Sequence, residues 1–408
     1  MRAERKNNKG SGLHFRKRFY LIILLILVLG GAGLFFTLPG KDAKPKEPKP
    51  GKPVQLNLLC AGDLVIHMDV INAAKKSDGT YNFEWPFDSV KPYIGDADLA
   101  MCNLETTFTG GNYSGYPIFR CPDELASSLA AVGFDLVTTS SNHTFDTGEE
   151  GMYRTIDVLD KAGLKTAGSR PNTDVPRYTM VKKKGVNIAI VSYAYGGVQG
   201  NTRDLNGNPL TQNGVDSINV FSYETFDEDF KEIKATVSAA KKAGADMVIM
   251  YYHWGDEYST KSNGDQQKIA QKTVDEADVD IIYGSHPHVV QEKTVLTKKD
   301  SGKKVPVYYA LGNLLSNQRR ELVYNNQHVE EGVMVNFAIT YDPKAKKITA
   351  IKDTPIPYWV DKYSDGGIKY QLIPLVEGYE KSPVLEKSGH ASLATNALAN
   401  VNAILKGE

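Results

Sequence analysis

The sequence predicts an α/β protein with parallel strands, set behind an N-terminal transmembrane helix. Two patterns carry this prediction: short apolar runs rich in β-branched residues alternate with segments of helical period, and one uncharged apolar run lies near the N-terminus. The 408 residues are 41% hydrophobic and 24% charged, as in ordinary globular proteins. Basic and acidic residues both number 48, so no overall positive field favours nucleic acid as a partner.

The predicted membrane segment comprises residues 19–38, which are uncharged and mostly apolar. A helix of that length, rising ~1.5 Å per residue, crosses a hydrocarbon core ~30 Å thick. The basic excess in residues 1–18 predicts a cytoplasmic tail and places the remaining chain outside the cell membrane. A cleaved signal peptide is the alternative, but its apolar region usually has only ~7 to 15 residues. Residues 39–53, rich in proline and lysine, predict an extended linker.

Beyond the linker we expect one large domain, residues 54–340, followed by a C-terminal extension, residues 341–408. The predicted strands are residues 56–61, 99–102, 136–139, 188–193, 247–252, 279–283 and 305–310. The clearest predicted helices are residues 149–162, 227–243 and 265–277, the first two followed by glycine. From residue 332 the pattern changes to antiparallel strands, and residues 382–408 predict a small helical tail.

The three cysteines, Cys60, Cys102 and Cys121, are too few for a disulfide scaffold. Their spacing matches neither a zinc ribbon nor a CxxC redox pair. Buried thiols are favoured for Cys60 and Cys102, which lie near the ends of apolar runs, and one disulfide with a leftover thiol is the alternative.

Polar side chains with metal-binding or acid–base chemistry follow six of the predicted strands. They are Asp63; Asn103 and Glu105; Asn142, His143 and Asp146; His253 and Glu257; His286 and His288; and Asn313. Because ligands of α/β proteins bind where the carboxyl ends of strands meet, we expect these side chains to share one crevice. His67 also lies just past a strand end. Oxygen and imidazole donors together suit manganese, iron, zinc or magnesium.

Each of these residues also has an ordinary structural interpretation. Asp63 at a strand end is more often a turn or helix-cap residue than a ligand, and Asn142 could belong to a simple turn. Glu105 could cap the following element, and His253 could pack beside Trp254. The recurrence of such residues at six strand ends favours a shared metal site over these separate interpretations.

His286 and His288 form the strongest local signal, since alternate residues of an extended segment point the same way and could reach one ion. Glu257 and Asp146 could orient histidines from behind, or could be solvated acids. The residues alone do not separate these two interpretations.

Six motifs of the chain resemble those of the CapA/PgsA capsule-synthesis proteins. They are GD at 62–63, NLE at 103–105, SNHTFDTGEEG at 141–151, HWGDEY at 253–258, GSHPHVVQ at 284–291 and ALGN at 310–313. That family resembles the calcineurin-like metallophosphoesterases, so the resemblance implies a four-layer sandwich of two β-sheets flanked by helices. It implies that His143 acts on the leaving group. The implied metal ligands are Asp63, Glu105, Asn142, His253, His286 and His288.

Two positions depart from the phosphoesterase pattern. The usual Asp-x-His is missing, because the first histidine after Asp63 is His67, and whether His67 reaches the metal stays open. Glu105 takes the place of an aspartate and is one methylene longer, which alters how a bridging carboxylate spans two ions. A centre with two divalent ions is nevertheless what the resemblance implies.

In such a centre, bound ions lower the pKa of a bridging water and hold a phosphoryl oxygen for in-line attack. His143 would protonate the leaving oxygen, with Asp146 holding the imidazole protonated. The resemblance implies a role in making or exporting poly-γ-glutamate, with membrane-bound synthesis or export proteins as partners. Two functions stay open: an extracellular metal-dependent hydrolase acting on a phosphoester or a polymer amide, and a non-catalytic accessory subunit that binds the anionic polymer.

Overall fold

Helices and strands alternate through most of the chain in the computed structural model, which describes residues 51–200 and 202–408. The predicted tail, residues 1–18, and the predicted membrane segment, residues 19–38, lie outside the described residues, as does most of the linker. Within the described ranges, no helix has both the length and the apolar character required to cross a membrane.

The strands and helices lie close to where the sequence predicts them. The strands are β1 (Val54–Val65), β2 (Leu99–Leu104), β3 (Thr107–Phe108), β4 (Arg120–Cys121), β5 (Leu136–Thr138), β6 (Lys165–Ala167), β7 (Tyr178–Lys183), β8 (Val186–Tyr195), β9 (Gly197–Gln199), β10 (Thr202–Leu205), β11 (Asn208–Pro209), β12 (Val220–Phe221), β13 (Met247–His253), β14 (Ile281–Ser285), β15 (Lys293–Thr297), β16 (Lys304–Tyr308), β17 (Asn313–Ser316), β18 (Glu331–Asp342), β19 (Lys347–Ser364) and β20 (Ile368–Pro374). The helices are α1 (Met68–Ala74), α2 (Lys91–Gly95), α3 (Glu124–Val132), α4 (Gly148–Lys161), α5 (Gln212–Ser217), α6 (Phe226–Lys242), α7 (Gly264–Glu276), α8 (Pro383–Ser388) and α9 (Ala391–Leu405). Short 3-10 turns occupy Trp85–Phe87, Gln327–Glu330 and Tyr379–Lys381.

Two large sheets carry the fold. The first has the order β20-β19-β18-β1-β2-β5-β6, with β17 beside β1, and the second has the order β12-β8-β13-β14-β16-β15, with β7 beside β8. Strands β1, β2, β5, β6 and β17 run parallel in the first sheet, as do β8, β12, β13, β14 and β16 in the second. Strands β18 to β20 are antiparallel, as the sequence predicts, and they extend the first sheet.

Apolar side chains pack in three layers between and outside these sheets. The inner faces of the two sheets meet through residues such as Leu58 of β1 and Ile249 of β13. The outer face of the first sheet packs on helices α1 to α4, with Leu125 of α3 fully buried there. The outer face of the second sheet packs on α6 and α7. The predicted four-layer sandwich of two sheets between helices is therefore confirmed.

Strand β1 shows how the sequence delivers a carboxylate to the end of the sheet. Its first residues alternate, with Gln55 exposed and Leu56 buried, and from Leu58 onward every residue is buried because helices cover the second face. A Cβ on Gly62 would lie 1.8 Å from the carbonyl oxygen of Gly312, so only glycine lets the two chains approach this closely. Asp63 is the next residue, and its backbone N–H donates to the carbonyl oxygen of Gly312 at 3.0 Å, which fixes its position.

Charged residues, glycines and capping residues at the helix ends explain why the predicted limits lie close to the observed ones. Helix α6 has Asp227 in its first turn and Lys242 in its last, which complements the helix dipole, and Gly244 follows it with φ +94°. Helix α7 opens with a capping box in which Asn263 and Gln266 bond to each other's backbone N–H. The three clearest predicted helices each begin and end one residue after the observed limits.

All three cysteines are buried free thiols. The buried-thiol interpretation of Cys60 and Cys102 is therefore confirmed, and it extends to Cys121.

Candidate metal centre

The carboxyl ends of parallel strands from both sheets meet at one crevice, which contains the predicted metal ligands. Asp63 near the end of β1 is paired in register with Asn103 of β2 and Asn313 of β17. His253 is the last residue of β13, and β14 ends immediately before His286. All six predicted ligands are at most 3% exposed: Asp63, Glu105, Asn142, His253, His286 and His288.

Within this crevice, three groups of side chains each bring their donor atoms within 4.8 Å of one another. The first donor group is Asp63, Glu105 and His288; the second is Glu105, His253 and His286; the third is Glu257, His286 and His288. Asn142 adjoins the second group, since its Oδ1 lies 2.8 Å from Nε2 of His253. Glu105 belongs to the first and second groups, so its carboxylate would be shared by both groups if each of them held an ion.

Glu105 provides the test of whether these residues fit divalent metal ions. Both of its carboxylate oxygens are buried and have no hydrogen-bond partner among the described residues. Burial, and then the charge of Asp63, raise the pKa of Glu105 well above its usual range. An unpartnered buried carboxylate is destabilising by several kcal/mol, about the scale for an uncompensated buried charge. A divalent cation bound between the two groups would remove this penalty, so the residues fit.

The histidines of the second donor group are held in the form that binds a metal. Burial, with a smaller effect from neighbouring histidines, lowers the pKa of His253 and of His286 well below the ordinary imidazole value. Neutral imidazole offers a free lone pair. Nδ1 of His253 lies 2.9 Å from the hydroxyl of Tyr251, which leaves Nε2 facing Asn142 and Glu105.

Polar neighbours fix the orientation of the first donor group. The Asn103 side chain donates to Oδ1 of Asp63 (2.7 Å), and the Asn103 amide oxygen accepts from Thr138 (2.9 Å). Nδ1 of His288 lies 3.1 Å from Oδ1 of Asn313, so Nε2 of the same ring is left to face Glu105 at 3.7 Å. Such partners lock a ligand's rotamer and tautomer.

The backbone at His286 and His288 corrects one expectation from the sequence. An extended segment was expected there, but His286 has φ +102° and His288 has φ +58°, in the left-handed region that non-glycine residues rarely occupy. The two rings nevertheless both enter the crevice, with centroids 5.9 Å apart. Backbone strain of this kind clusters at functional sites, where the surrounding structure holds it in place.

His143 and Asp146, predicted to carry acid–base chemistry, form a buried pair beside the second donor group. Nδ1–H of His143 donates to Oδ2 of Asp146 at 2.9 Å, and the same oxygen accepts from the backbone N–H of Phe119 at 2.7 Å. The Phe119 ring packs edge-on against His143, with centroids 4.7 Å apart. Asp146 therefore orients the imidazole and is not a solvated acid.

Asn206, which no sequence motif marks as a site residue, contacts both members of the Asn142-His143 pair. Its Oδ1 accepts from Nδ2 of Asn142 (3.2 Å), and its Nδ2 lies 3.3 Å from Nε2 of His143. Asn206 sits in the tight turn between β10 and β11 with φ +50°, followed by Gly207. The Asn-Gly pair signals such a turn in any sequence, but not the tertiary position of the hairpin.

His67 belongs to none of the three donor groups found among the described residues. Its Nδ1 lies 3.0 Å from the carbonyl oxygen of Val65, and its ring packs edge-on against Phe119. Burial lowers the pKa of His67 to about 4. These contacts hold the His67 ring beside Phe119, whereas Glu257, whose role the sequence also leaves open, lies in the third donor group.

Comparisons with known proteins show the family of the chain. The family model for the bacterial capsule synthesis protein PGA_cap matches residues 57–318, more than half of the chain. The capsule biosynthesis protein CapA of Bacillus anthracis is 27% identical over 65% of this chain and 60% of that protein, so the chain spans less than two thirds of that relative. The PGA biosynthesis protein CapA of Bacillus subtilis is 24% identical over 79% of this chain and 80% of that protein.

Among solved structures, a calcineurin-like phosphoesterase from Bacillus subtilis aligns with 86% of this chain and 100% of its own, at 12% identity and a TM-score of 0.41. The family match covers all six motifs and all six predicted metal ligands. The chain belongs to the family of bacterial capsule synthesis proteins described as PGA_cap.

Proposed function

We propose that the protein is a membrane-anchored, extracytoplasmic member of its family that takes part in the synthesis or export of poly-γ-glutamate through a metal-dependent, hydrolase-like site. One observation carries the proposal of a metal site: the buried, unpartnered carboxylate of Glu105 is shared by two donor groups. Family membership and the names of the Bacillus relatives support the link to capsule polymer.

The first and second donor groups would each hold one divalent ion, manganese, iron, zinc or magnesium, with Glu105 between them. Such ions, when bound, lower the pKa of a coordinated water and polarise a phosphoryl or carbonyl oxygen. Asn103 and Asn313 hold Asp63 and His288 in position, while Tyr251 holds His253. The substrate would be a phosphoester or an amide of the polymer.

Nε2 of His143 would donate a proton to the leaving group. The Nδ1–H of the same ring donates to Asp146, which orients the ring so that Nε2 faces the crevice. Asn206 shields Nε2 from one side and would be displaced or reoriented when the leaving group enters. The residues of this chain thus supply orientation and one proton, as general acid catalysis requires.

A second candidate function is a non-catalytic accessory subunit of a membrane synthesis and export complex, which binds the anionic polymer. The specific observation that favours it is the missing imidazole after Asp63, since His67 lies outside the donor groups. A site that binds metal with an incomplete ligand set could position polymer without turning it over.

The proposed topology predicts that residues 54–408 lie outside the cell membrane, because a basic tail precedes the apolar run at residues 19–38. Protease added to intact cells should digest the large domain and leave a short membrane-protected fragment. Digestion that required permeabilised cells would show the opposite orientation.

The proposed role in capsule synthesis predicts that deletion of the gene abolishes or strongly lowers surface poly-γ-glutamate, and that the parent restores it. His286→Ala should not restore it, since the second donor group loses a ligand. The measurement is polymer released per cell, with protein abundance checked by immunoblot. Full restoration by His286→Ala at normal abundance would contradict a functional metal site.

A further inference from the structure

A lysine-lined cleft lies at the end of the two sheets opposite the candidate metal centre. It has a volume of about 630 Å³ and adjoins the turn between β18 and β19, residues 342–347. Its basic lining residues are Lys241, Lys303, Lys304, Lys346 and Lys347. We propose that this lysine cleft and the adjacent turn contact the headgroups of anionic lipids in the membrane that holds the chain. This inference rests on the membrane anchor of the proposed function.

The lysine cleft lies at the amino ends of the parallel strands. Asp246 and Asp280 of its lining come immediately before β13 and β14, and Lys304 is the first residue of β16. The predicted metal ligands lie at the carboxyl ends of strands in the same sheets. Along β1, Asp63 is nine residues beyond Val54, which is ~30 Å of extended strand. A group bound in the lysine cleft is therefore too far away to react at the metal centre.

Ion pairs within the lysine cleft involve only some of its lysines. Lys241 and Lys303 each pair with both Asp278 and Asp280, at N–O distances from 2.7 to 3.6 Å. The exposed lysines of the cleft and turn that form no ion pair among the described residues are Lys304, Lys344, Lys346 and Lys347. These four amines are free to meet an anionic surface.

The acids beside these four lysines are directed at other groups. Asp246 accepts from a tyrosine hydroxyl of β18 at 2.6 Å, and Asp353 pairs with Lys293 at 2.7 Å. Asp342 accepts from the backbone N–H of Lys344 at 2.8 Å, so its carboxylate faces back into the turn. The outward-facing charge of the turn is therefore positive.

The predicted linker joins the folded domain beside the lysine cleft. Val54, the first residue of β1, is paired with Tyr341 of β18, next to the turn. A Cβ on Gly51 would lie 2.5 Å from Cε of Lys344, so the Lys344 side chain lies against the backbone that precedes β1. Residues 39–53 add five lysines against one aspartate and one glutamate. Attraction of these positive charges to anionic headgroups would turn this end of the domain toward the lipid.

The apolar part of the lining favours a lipid surface over a soluble polyanion. Val295 is 55% exposed, and Ile348 and Ile351 also line the lysine cleft. Lysine amines beside apolar side chains suit the boundary between headgroups and acyl chains, where amines meet phosphates and apolar groups leave water. A polyanion in solution would engage the lysines but leave Val295 in water.

The test is the rate of lysine acetylation, measured by mass spectrometry, in the full chain reconstituted into lipid nanodiscs. Discs of phosphatidylcholine alone are compared with discs of phosphatidylcholine and phosphatidylglycerol in equal parts. Lys344 should react at least ~5-fold more slowly in the anionic discs, the scale of one lysine's attraction to an anionic surface. High salt should abolish this protection.

Lys261 is the matched control residue, because it is an exposed lysine between β13 and α7, at the crevice end of the sheets. Its acetylation rate should be the same in both kinds of disc. A variant that combines Lys304→Gln, Lys346→Gln and Lys347→Gln should lose the protection of Lys344. Arginine at the same three positions should keep it, because arginine keeps the positive charge. All three side chains are exposed, so both variants should melt at the temperature of the parent.

Three outcomes overturn the inference and are distinguishable. If the chain co-elutes with the discs and Lys344 reacts equally fast in both kinds, the lysine cleft does not contact lipid, while the proposed anchor stands. If the chain enters neither kind of disc, the anchor fails and the inference fails with it. If poly-γ-glutamate protects Lys344 of the chain in detergent and anionic lipid does not, the lysine cleft binds polymer instead.

Discussion

Replacement of His143 with alanine is expected to lower the hydrolytic rate by ~10² to 10⁴-fold while the metal content stays equal to that of the parent. The reason is the position of the ring: Nδ1 is engaged by Asp146, and His143 lies in none of the three donor groups among the described residues. The rate is measured on a generic phosphodiester and on poly-γ-glutamate, and metal is measured by mass spectrometry after dialysis.

His286→Ala is the matched comparison, because His286 belongs to the second and third donor groups. Its loss should lower the metal content and the melting temperature together, since a bound ion stabilises the native state. Loss of metal in His143→Ala would assign that residue to the ligands. If the parent shows no turnover and His143→Ala supports normal polymer production, the accessory function is favoured instead.

Replacement of Glu105 with glutamine is expected to act in opposite directions in the metal-free and metal-loaded protein. Without metal, the change removes a buried carboxylate that has no partner, so the melting temperature should rise. With metal, the change removes the charge shared by both donor groups, so metal affinity and the stabilisation by metal should fall sharply. The measurement is the melting temperature of parent and variant with and without Mn²⁺.

The difference in stability between the metal-free parent and Glu105→Gln is expected to depend on pH. Burial raises the pKa of Glu105 well above its ordinary value of 4.5, so above pH 4.5 the native state binds more protons here than the unfolded state. The metal-free parent therefore loses stability as the pH rises from 4.5 through the folded-state pKa, and the variant lacks this loss. The advantage of Glu105→Gln should grow with rising pH and disappear below pH 4.5. A difference that is constant with pH, or a less stable variant at neutral pH, would contradict the assignment.

Much of the fold is predictable from the sequence because its signals are local. Because both faces of the second sheet are buried, β13 and β14 are continuous apolar runs. Helix α6 has acidic residues in its first turn, basic residues in its last turn and a glycine shortly after its end. The convergence of Asp63, Glu105 and the histidines follows from a general rule, that ligands bind at the carboxyl ends of parallel strands. These features require no knowledge of distant contacts.

Other parts of the site depend on contacts between distant segments. Asn206 lies beside His143 in a hairpin whose Leu205 and Leu210 belong to the same buried apolar cluster as Phe145, and nothing in the Asn-Gly turn itself encodes that docking. The left-handed backbone of His286 is imposed by its surroundings, against the local preference of histidine. Glu257 lies near His286 and His288 in a segment where the Tyr258 N–H donates to the carbonyl oxygen of Pro287, a contact that the local sequence does not show.

Anomalous diffraction from crystals of the protein grown with Mn²⁺ tests the central claim most directly, namely that Glu105 bridges two ions. The account predicts two anomalous peaks, one among Asp63, Glu105 and His288 and the other among Glu105, His253 and His286. A map that shows no peak in the crevice, or only a single peak that Glu105 does not contact, would contradict it.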